Sequence, residues 1–309
     1  MSDTQGMTRA QAWLTAARPH TLPAAASPVI VGTGLAVHDG IFAPLPAIAA
    51  LLGAGLIQIG TNLANDYHDA LKGTDEGAEG FTRVTQSGLI APEHVKRATY
   101  ATFLLAMLVG LYLVYLGGVP ILVIGLASIA SGILYTGGPY PFGYHGLGDL
   151  FTFVFFGLVA VTGTYYVQAV AAGPAFPMWA PAGSITLEAL VASLPMAALI
   201  TDILVVNNVR DLETDRAAGK RTLAVFLGYR GSRLEFVALL LLAYAVPVWF
   251  LSIGYPPWVL LPLLTLPYAI SITRTMLTRT TADVLNTTLE RTGRLTAGYA
   301  ITFAIGLGL

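Results

Sequence analysis

Apolar runs of about twenty residues recur along this chain and limit its fold more than any motif does, because a helix needs ~20 apolar residues to cross the ~30 Å hydrocarbon layer of a bilayer. The runs lie at roughly 21–38, 43–65, 98–116, 119–136, 149–171, 188–208, 234–253, 257–273 and 294–309. The last is short, and the eighth is interrupted by Pro262 and Pro267. The expected fold is all-α, a polytopic bundle of about nine transmembrane helices in a lipid bilayer, as one domain over 1–309. Composition agrees, since only 11% of residues are charged where a soluble domain has ~25%.

The 16 Lys and Arg residues fall into four groups. They lie before the first run (Arg9, Arg18), between the second and third (Lys72 to Arg97), after the sixth (Arg210 to Arg233) and around 274–294. All of these segments can be placed on one face. Loops rich in Lys and Arg stay in the cytoplasm, so the N-terminus is expected there, with the chemistry on the same face. The opposite connections, near 39–42, 117–118, 172–187 and 254–256, are mostly short and apolar. One inner connection, 137–148, carries no Lys or Arg and is rich in Gly, Pro and aromatic residues. A net charge of -1 argues for no nucleic-acid partner, and the absence of cysteine excludes disulfides, thiolate metal sites and Cys nucleophiles. The first twenty residues contain no apolar core, so no cleaved signal peptide is expected.

Two polar clusters end apolar runs. In the first, Asn62, Asp66 and Asp69 sit at i, i+4 and i+7 with Asn65 beside them; in the second, Asn207, Asp211 and Asp215 sit at i, i+4 and i+8, next to Asn208. On a helix each set shares one face. Each is followed by a basic segment, which hints at two related halves, roughly 21–136 and 149–273. A single such cluster reads as an ordinary helix end. Two of them at the inner ends of long apolar helices favour a site, because charge at the membrane boundary is costly. Two converging carboxylate faces repel unless a cation lies between them, and Asp and Asn oxygens suit Mg²⁺, which binds through a few carboxylates plus phosphate oxygens. Arg83 and Lys220 lie beside the acids, where cations would hold an oxygen-rich anion such as a diphosphate. The cations at 274–294 are read as topology signals.

The segments Asn62–Asp75, Arg83–Ile90 and Val206–Leu223 resemble the intramembrane aromatic prenyltransferases, the UbiA superfamily. Ala17–Pro23 and the loop Leu134–Asp149 look like its 1,4-dihydroxy-2-naphthoate polyprenyltransferase branch. The resemblance implies a Mg²⁺-dependent enzyme of the cytoplasmic membrane in menaquinone biosynthesis. It implies transfer of a polyprenyl group from its diphosphate to 1,4-dihydroxy-2-naphthoate with loss of CO2 and diphosphate. It places Asp66, Asp69, Asp211 and Asp215 as metal ligands, with Asn62, Arg83 and Lys220 toward the diphosphate. The family spacing would put the third acid at position 70, which is Ala here; Asp69 lies one residue early and Asp75 after a longer gap.

Such a reaction begins with departure of the diphosphate, stabilised electrostatically, and the allylic cation left behind favours aromatic faces. Tyr67, Tyr135, Tyr140, Phe142 and Tyr144 are candidates to supply them or to hold the ring, although tyrosines also gather at membrane interfaces for other reasons. His68, His145 and Asp149 are candidates to hold ring hydroxyls or assist deprotonation, against the commoner role of local hydrogen bonding. Asp202, two turns inside the sixth run, either faces the cavity or is neutral between helices. Alternative readings are prenyl transfer to 4-hydroxybenzoate, homogentisate or haem, a membrane CDP-alcohol phosphotransferase, and a transporter. The phosphotransferase reading fails on spacing, since no Gly follows an Asp of the first cluster. The transporter reading fits less well because the acids gather at one face.

Overall fold

The computed structural model describes residues 7–72 and 84–309. Asp75 and Arg83 lie outside the described residues. The chain is a helical membrane bundle: α1 (Arg9–Ala17), α2 (Leu22–His38), α3 (Pro44–Lys72), α4 (Pro92–Leu134), α5 (Gly148–Thr152), α6 (Ala160–Ala169), α7 (Leu187–Arg210), α8 (Leu212–Ala217), α9 (Leu223–Ser252), α10 (Leu266–Thr278) and α11 (Ala282–Gly308). A π-helical stretch, Phe153–Val159, joins α5 to α6, and a 3₁₀ stretch, Pro257–Thr265, precedes α10. Helix starts follow local chemistry. Thr8 caps α1 in a reciprocal box with Gln11, Pro92 opens α4 where its missing N–H costs nothing, and the Thr222 hydroxyl accepts from the Val225 N–H at the start of α9.

Among the described residues, seven helical segments are long and apolar enough to cross a membrane. That figure differs from the expected nine for two reasons. The runs 98–116 and 119–136 fall within α4, whose 43 residues are interrupted at Gly118 (φ 62°, ψ -147°). The chain doubles back there. Gly132 lies against Phe103, with a position for Cβ 3.6 Å from the ring, though the two are far apart in sequence. α4 is thus two antiparallel limbs, 92–117 and 119–134, joined by one glycine. The reversal is held from outside: the Val119 N–H donates to the Pro177 carbonyl (3.0 Å) and the Phe176 N–H to the Tyr115 carbonyl (2.8 Å). The second reason is α11, which begins twelve residues before the expected run and carries Asp283, Glu290, Arg291 and Arg294 in its first half.

α7 runs through the core. Ala192, Ala197, Ala198, Met196 and Leu199 are fully buried, and Gly157 of the π-helical stretch sits so close to Ala197 that a Cβ would overlap it. Gly34 of α2 meets Ala304 of α11 in the same way. Apolar burial against lipid gives little drive for helix association, so close approach at small residues carries much of the packing. α4 turns an apolar, exposed face outward (Leu104, Leu108, Tyr115), as a helix bordering lipid does.

Candidate active site

α3 and α7 end at the same side of the bundle, and one cavity of about 590 Å³ lies between them. Its polar mouth includes Asn62, Asn65, Asp69, Asn207, Asn208, Asp211, Asp215 and Lys220. Its deep end runs between α3, α4 and α6 over Ala54, Leu111, Ile121, Leu122 and Val167. The two acidic clusters therefore share one chamber whose remainder is apolar. A volume in the range of small-molecule clefts suits a ring at the mouth and an aliphatic chain beneath it.

In the second cluster the helix loosens at Asp211 (φ -93°, ψ 8°), yet the Asp215 N–H still donates to the Asp211 carbonyl (2.7 Å). The expected common face survives the break. Arg210 grips Asp211 with two bonds, Nε to Oδ1 (2.8 Å) and a terminal nitrogen to Oδ2 (2.5 Å). It also donates to Asn207 and, across to α11, to Asn286, both at 2.9 Å. Such a two-pronged pair fixes the carboxylate's direction. Lys220 Nζ stands 3.6 Å from Asp215 and 5.0 Å from the centre of the Tyr144 ring. The Arg221 N–H donates to the Tyr144 carbonyl (2.9 Å), tying the aromatic loop to this corner.

In the first cluster the shared face divides. Asp69 faces the cavity and accepts a short hydrogen bond from the Tyr144 hydroxyl. Asp66 is buried and outside the cavity wall; its Oδ2 accepts from the Thr85 N–H (3.1 Å) and hydroxyl (2.5 Å), while its Oδ1 is buried without a hydrogen-bond partner. Asn62, expected to face the diphosphate, spends its amide on the chain before α2, donating to the Ala17 carbonyl (3.0 Å) and the Thr21 hydroxyl (2.9 Å). Replacing Thr85 by valine removes the hydroxyl and keeps the N–H. A hydrogen bond to a charged group is worth ~1.5–3 kcal/mol, so turnover is expected to fall about tenfold in steady-state assays.

The aromatic candidates separate. Tyr135, Phe142 and Tyr144 line the cavity, with Phe142 stacked on Phe151 at 4.0 Å and Phe151 followed by Phe155 at 6.0 Å. Tyr67 and Tyr140 lie off it, beside His68 and His145 respectively. His145 Nδ1 is engaged by the Pro141 carbonyl and His68 Nδ1 by the Ala64 carbonyl, both at 2.8 Å. Burial first, then the charges of Asp149, Asp69 and Asp215, push the Tyr135 phenol well above its ordinary pKa. It stays protonated at neutral pH, and its hydroxyl is a hydrogen-bonding group there and not a proton source. Asp149 and Asp202 are buried away from the cavity wall, and both Asp202 oxygens lack a partner. Sequence reasoning missed Arg210, Arg18, His20 and Glu290, all of which line the cavity.

The donors fit a hard cation. They are carboxylate and amide oxygens without sulfur, and the Asp66 Oδ1 is a buried acceptor still to be satisfied. Among the described residues, no three His, Asp or Glu side chains converge as a self-sufficient metal cage. Mg²⁺ does not need one, because it takes one or two carboxylates and completes its shell from water and substrate phosphate.

A family model described as the UbiA prenyltransferase family matches residues 25–289. A 1,4-dihydroxy-2-naphthoate octaprenyltransferase of Escherichia coli (strain K12) is 38% identical over 99% of this chain and 97% of its own length. Its namesake from Mycobacterium tuberculosis is 38% identical over 84% of this chain and 83% of its own. Among solved structures, a UbiA homolog from Archaeoglobus fulgidus bound to DMAPP and Mg²⁺ has the same fold, with a TM-score of 0.62 at 16% identity over 95% of this chain and 98% of that one.

Proposed function

The chain belongs to the UbiA prenyltransferase family, and from that premise we propose that it transfers a polyprenyl group from an allylic diphosphate to 1,4-dihydroxy-2-naphthoate, with loss of CO2 and diphosphate, to give demethylmenaquinol. The observation that carries the reading is the meeting of two acidic helix ends in one chamber with an apolar depth. The curated relatives that act on this acceptor match the chain over most of its length, which supports the choice of acceptor.

In this reading Asp69, Asp211 and Asp215 at the chamber mouth would hold Mg²⁺, together with Asp66 through its unpartnered Oδ1, and the metal would supply charge neutralisation for a leaving diphosphate. Lys220 stands at the same corner and supplies a cation to the departing oxygens, a role also assigned to Arg83. Asp69 and Asp215 are held in place by Tyr144 and Lys220, and Asp211 by Arg210. Tyr135, Phe142 and Phe151 present faces to the allylic cation and the ring, and the apolar walls keep water from it. The site would open to the cytoplasm, with the chain in the inner membrane and its N-terminus inside.

The test supplies membranes containing the chain with one labelled prenyl diphosphate and, separately, dihydroxynaphthoate, 4-hydroxybenzoate and homogentisate. Product is expected from dihydroxynaphthoate alone, and none after chelation until Mg²⁺ is restored. Product from hydroxybenzoate alone would overturn the acceptor, and undiminished transfer in chelator would overturn the metal.

A further inference from the structure

Glycine inside a helix is less stable than alanine in the same place, so a helical glycine calls for a reason. Two ordinary reasons are a positive φ and a close approach that a Cβ would block. Gly34 against Ala304 is a case of the second. Six glycines among the described residues show neither. Gly53, Gly55, Gly110, Gly125, Gly163 and Gly293 lie within helices, and a Cβ on any of them would have nothing within 4 Å. Five of the six line the chamber, and Gly55 does not.

Four of these five belong to the apolar depth. Gly53 of α3 precedes Ala54, Gly110 and Gly125 sit on the two limbs of α4, and Gly163 of α6 lies one turn before Val167. They come from four helical segments and border one void. They are therefore missing bulk in its wall, where Gly34 and Gly157 are contacts between helices. Depth follows from helix rise. Gly53 is sixteen residues from Asp69 along α3, and Gly125 is ten residues from Tyr135, which correspond to about 24 and 15 Å. An extended isoprene unit, four carbon–carbon bonds of ~1.5 Å each, advances roughly 5 Å. The glycines thus lie about three to five units below the polar mouth.

We infer that Gly53, Gly110, Gly125 and Gly163 form a length gauge for the prenyl donor, in which the side chains they lack leave the bore that the distal units of a long chain pass through. The inference rests on the prenyltransferase reading and adds the class of donor, one longer than about five isoprene units. A short donor ends above the gauge and does not touch it. A long donor must pass it, and there even a methylene of lost volume is felt. The four glycines are specificity residues in this account.

Donor length is the variable that tests it. The full chain in membranes is given dihydroxynaphthoate with either geranyl or octaprenyl diphosphate, and kcat/KM is measured for each. Gly53→Leu, Gly110→Leu, Gly125→Leu and Gly163→Leu are compared with wild type. The octaprenyl-to-geranyl ratio of kcat/KM is expected to fall about 10- to 100-fold in each, with the alanine counterparts falling less. Gly55→Leu, which lies off the chamber wall, is expected to keep the wild-type ratio. Where leucine lowers the melting temperature, the alanine variant is read in its place, since its Cβ has no neighbour to strike. An unchanged ratio across the four positions would overturn the inference. Equal loss with both donors, or the same fall in Gly55→Leu, would overturn it too, as would a wild type that uses geranyl diphosphate alone. A wild type that prenylates dihydroxynaphthoate from neither donor would instead strike the underlying reading.

Discussion

Replacing Asp215 or Asp69 by asparagine is expected to lower kcat for prenyl transfer by about 10²–10³, the usual effect of removing one electrostatic stabiliser from a dry site. Both side chains line the mouth of the chamber and come from different clusters. Lys220 pairs with Asp215 and Tyr144 donates to Asp69, and asparagine keeps the shape and removes the charge. The loss is expected in kcat with little change in the KM for the acceptor, because the charge acts on the leaving diphosphate. The double variant should be far less impaired than the product of the two losses, since residues acting as a unit are not additive. Steady-state rates with labelled diphosphate release check this. Retention of more than about a tenth of wild-type kcat in either single variant would remove that carboxylate from the ionisation step.

The second large effect is on folding. Gly118→Ala is expected to cost about 2–6 kcal/mol, the sum of a glycine-only backbone conformation and an overpacked contact. Its φ of 62° with ψ of -147° lies outside what a side chain tolerates, and a Cβ there would run into the Pro177 carbonyl. Gly55→Ala is the matched control. It lies in a helix with nothing near its Cβ position, so the change should be neutral or stabilising by up to ~1 kcal/mol. Thermal unfolding in detergent, followed by circular dichroism, compares the two. Equal melting would show that the reversal at Gly118 bears no strain on substitution.

The fold was legible where hydrophobicity alone decides it. The runs at 21–38 and 188–208 end within two residues of α2 and α7. The part of α9 before residue 234, which includes a break at Gly228 (φ 64°, ψ 179°), was not legible, because Arg230 and Arg233 look like loop when only apolarity is counted. In the helix Arg233 spends its guanidinium on the Met276 and Arg279 carbonyls. The π-helical stretch Phe153–Val159 also left no trace in composition. It arises where Gly157 meets Ala197, a contact between residues far apart in the chain.

The site divides along the same line. Helical spacing placed each acidic cluster on one face, and for Asn207, Asp211 and Asp215 that face is the cavity. Spacing could not separate Asp69 from Asp66, which point to chamber and to Thr85, because a face spans more than one neighbour. Arg210 was counted only as a topological charge, although its place beside Asp211 and three residues after Asn207 was a usable signal. Arg18 was legible as one of the inner-face cations and as part of the Ala17–Pro23 segment, but its left-handed backbone (φ 50°) and its place on the cavity wall were not.

The single-glycine reversal bears on how this protein is made. From 98 to 148 the chain holds no Lys, Arg, Asp or Glu, and the turn at Gly118 offers no hydrophilic segment for a translocation machine to carry across. The two limbs of α4 must therefore partition into lipid together, as one wedge emerging from the ribosome. Lys96 and Arg97 tether that wedge at its first end, so its direction is inherited from the residues synthesised before it.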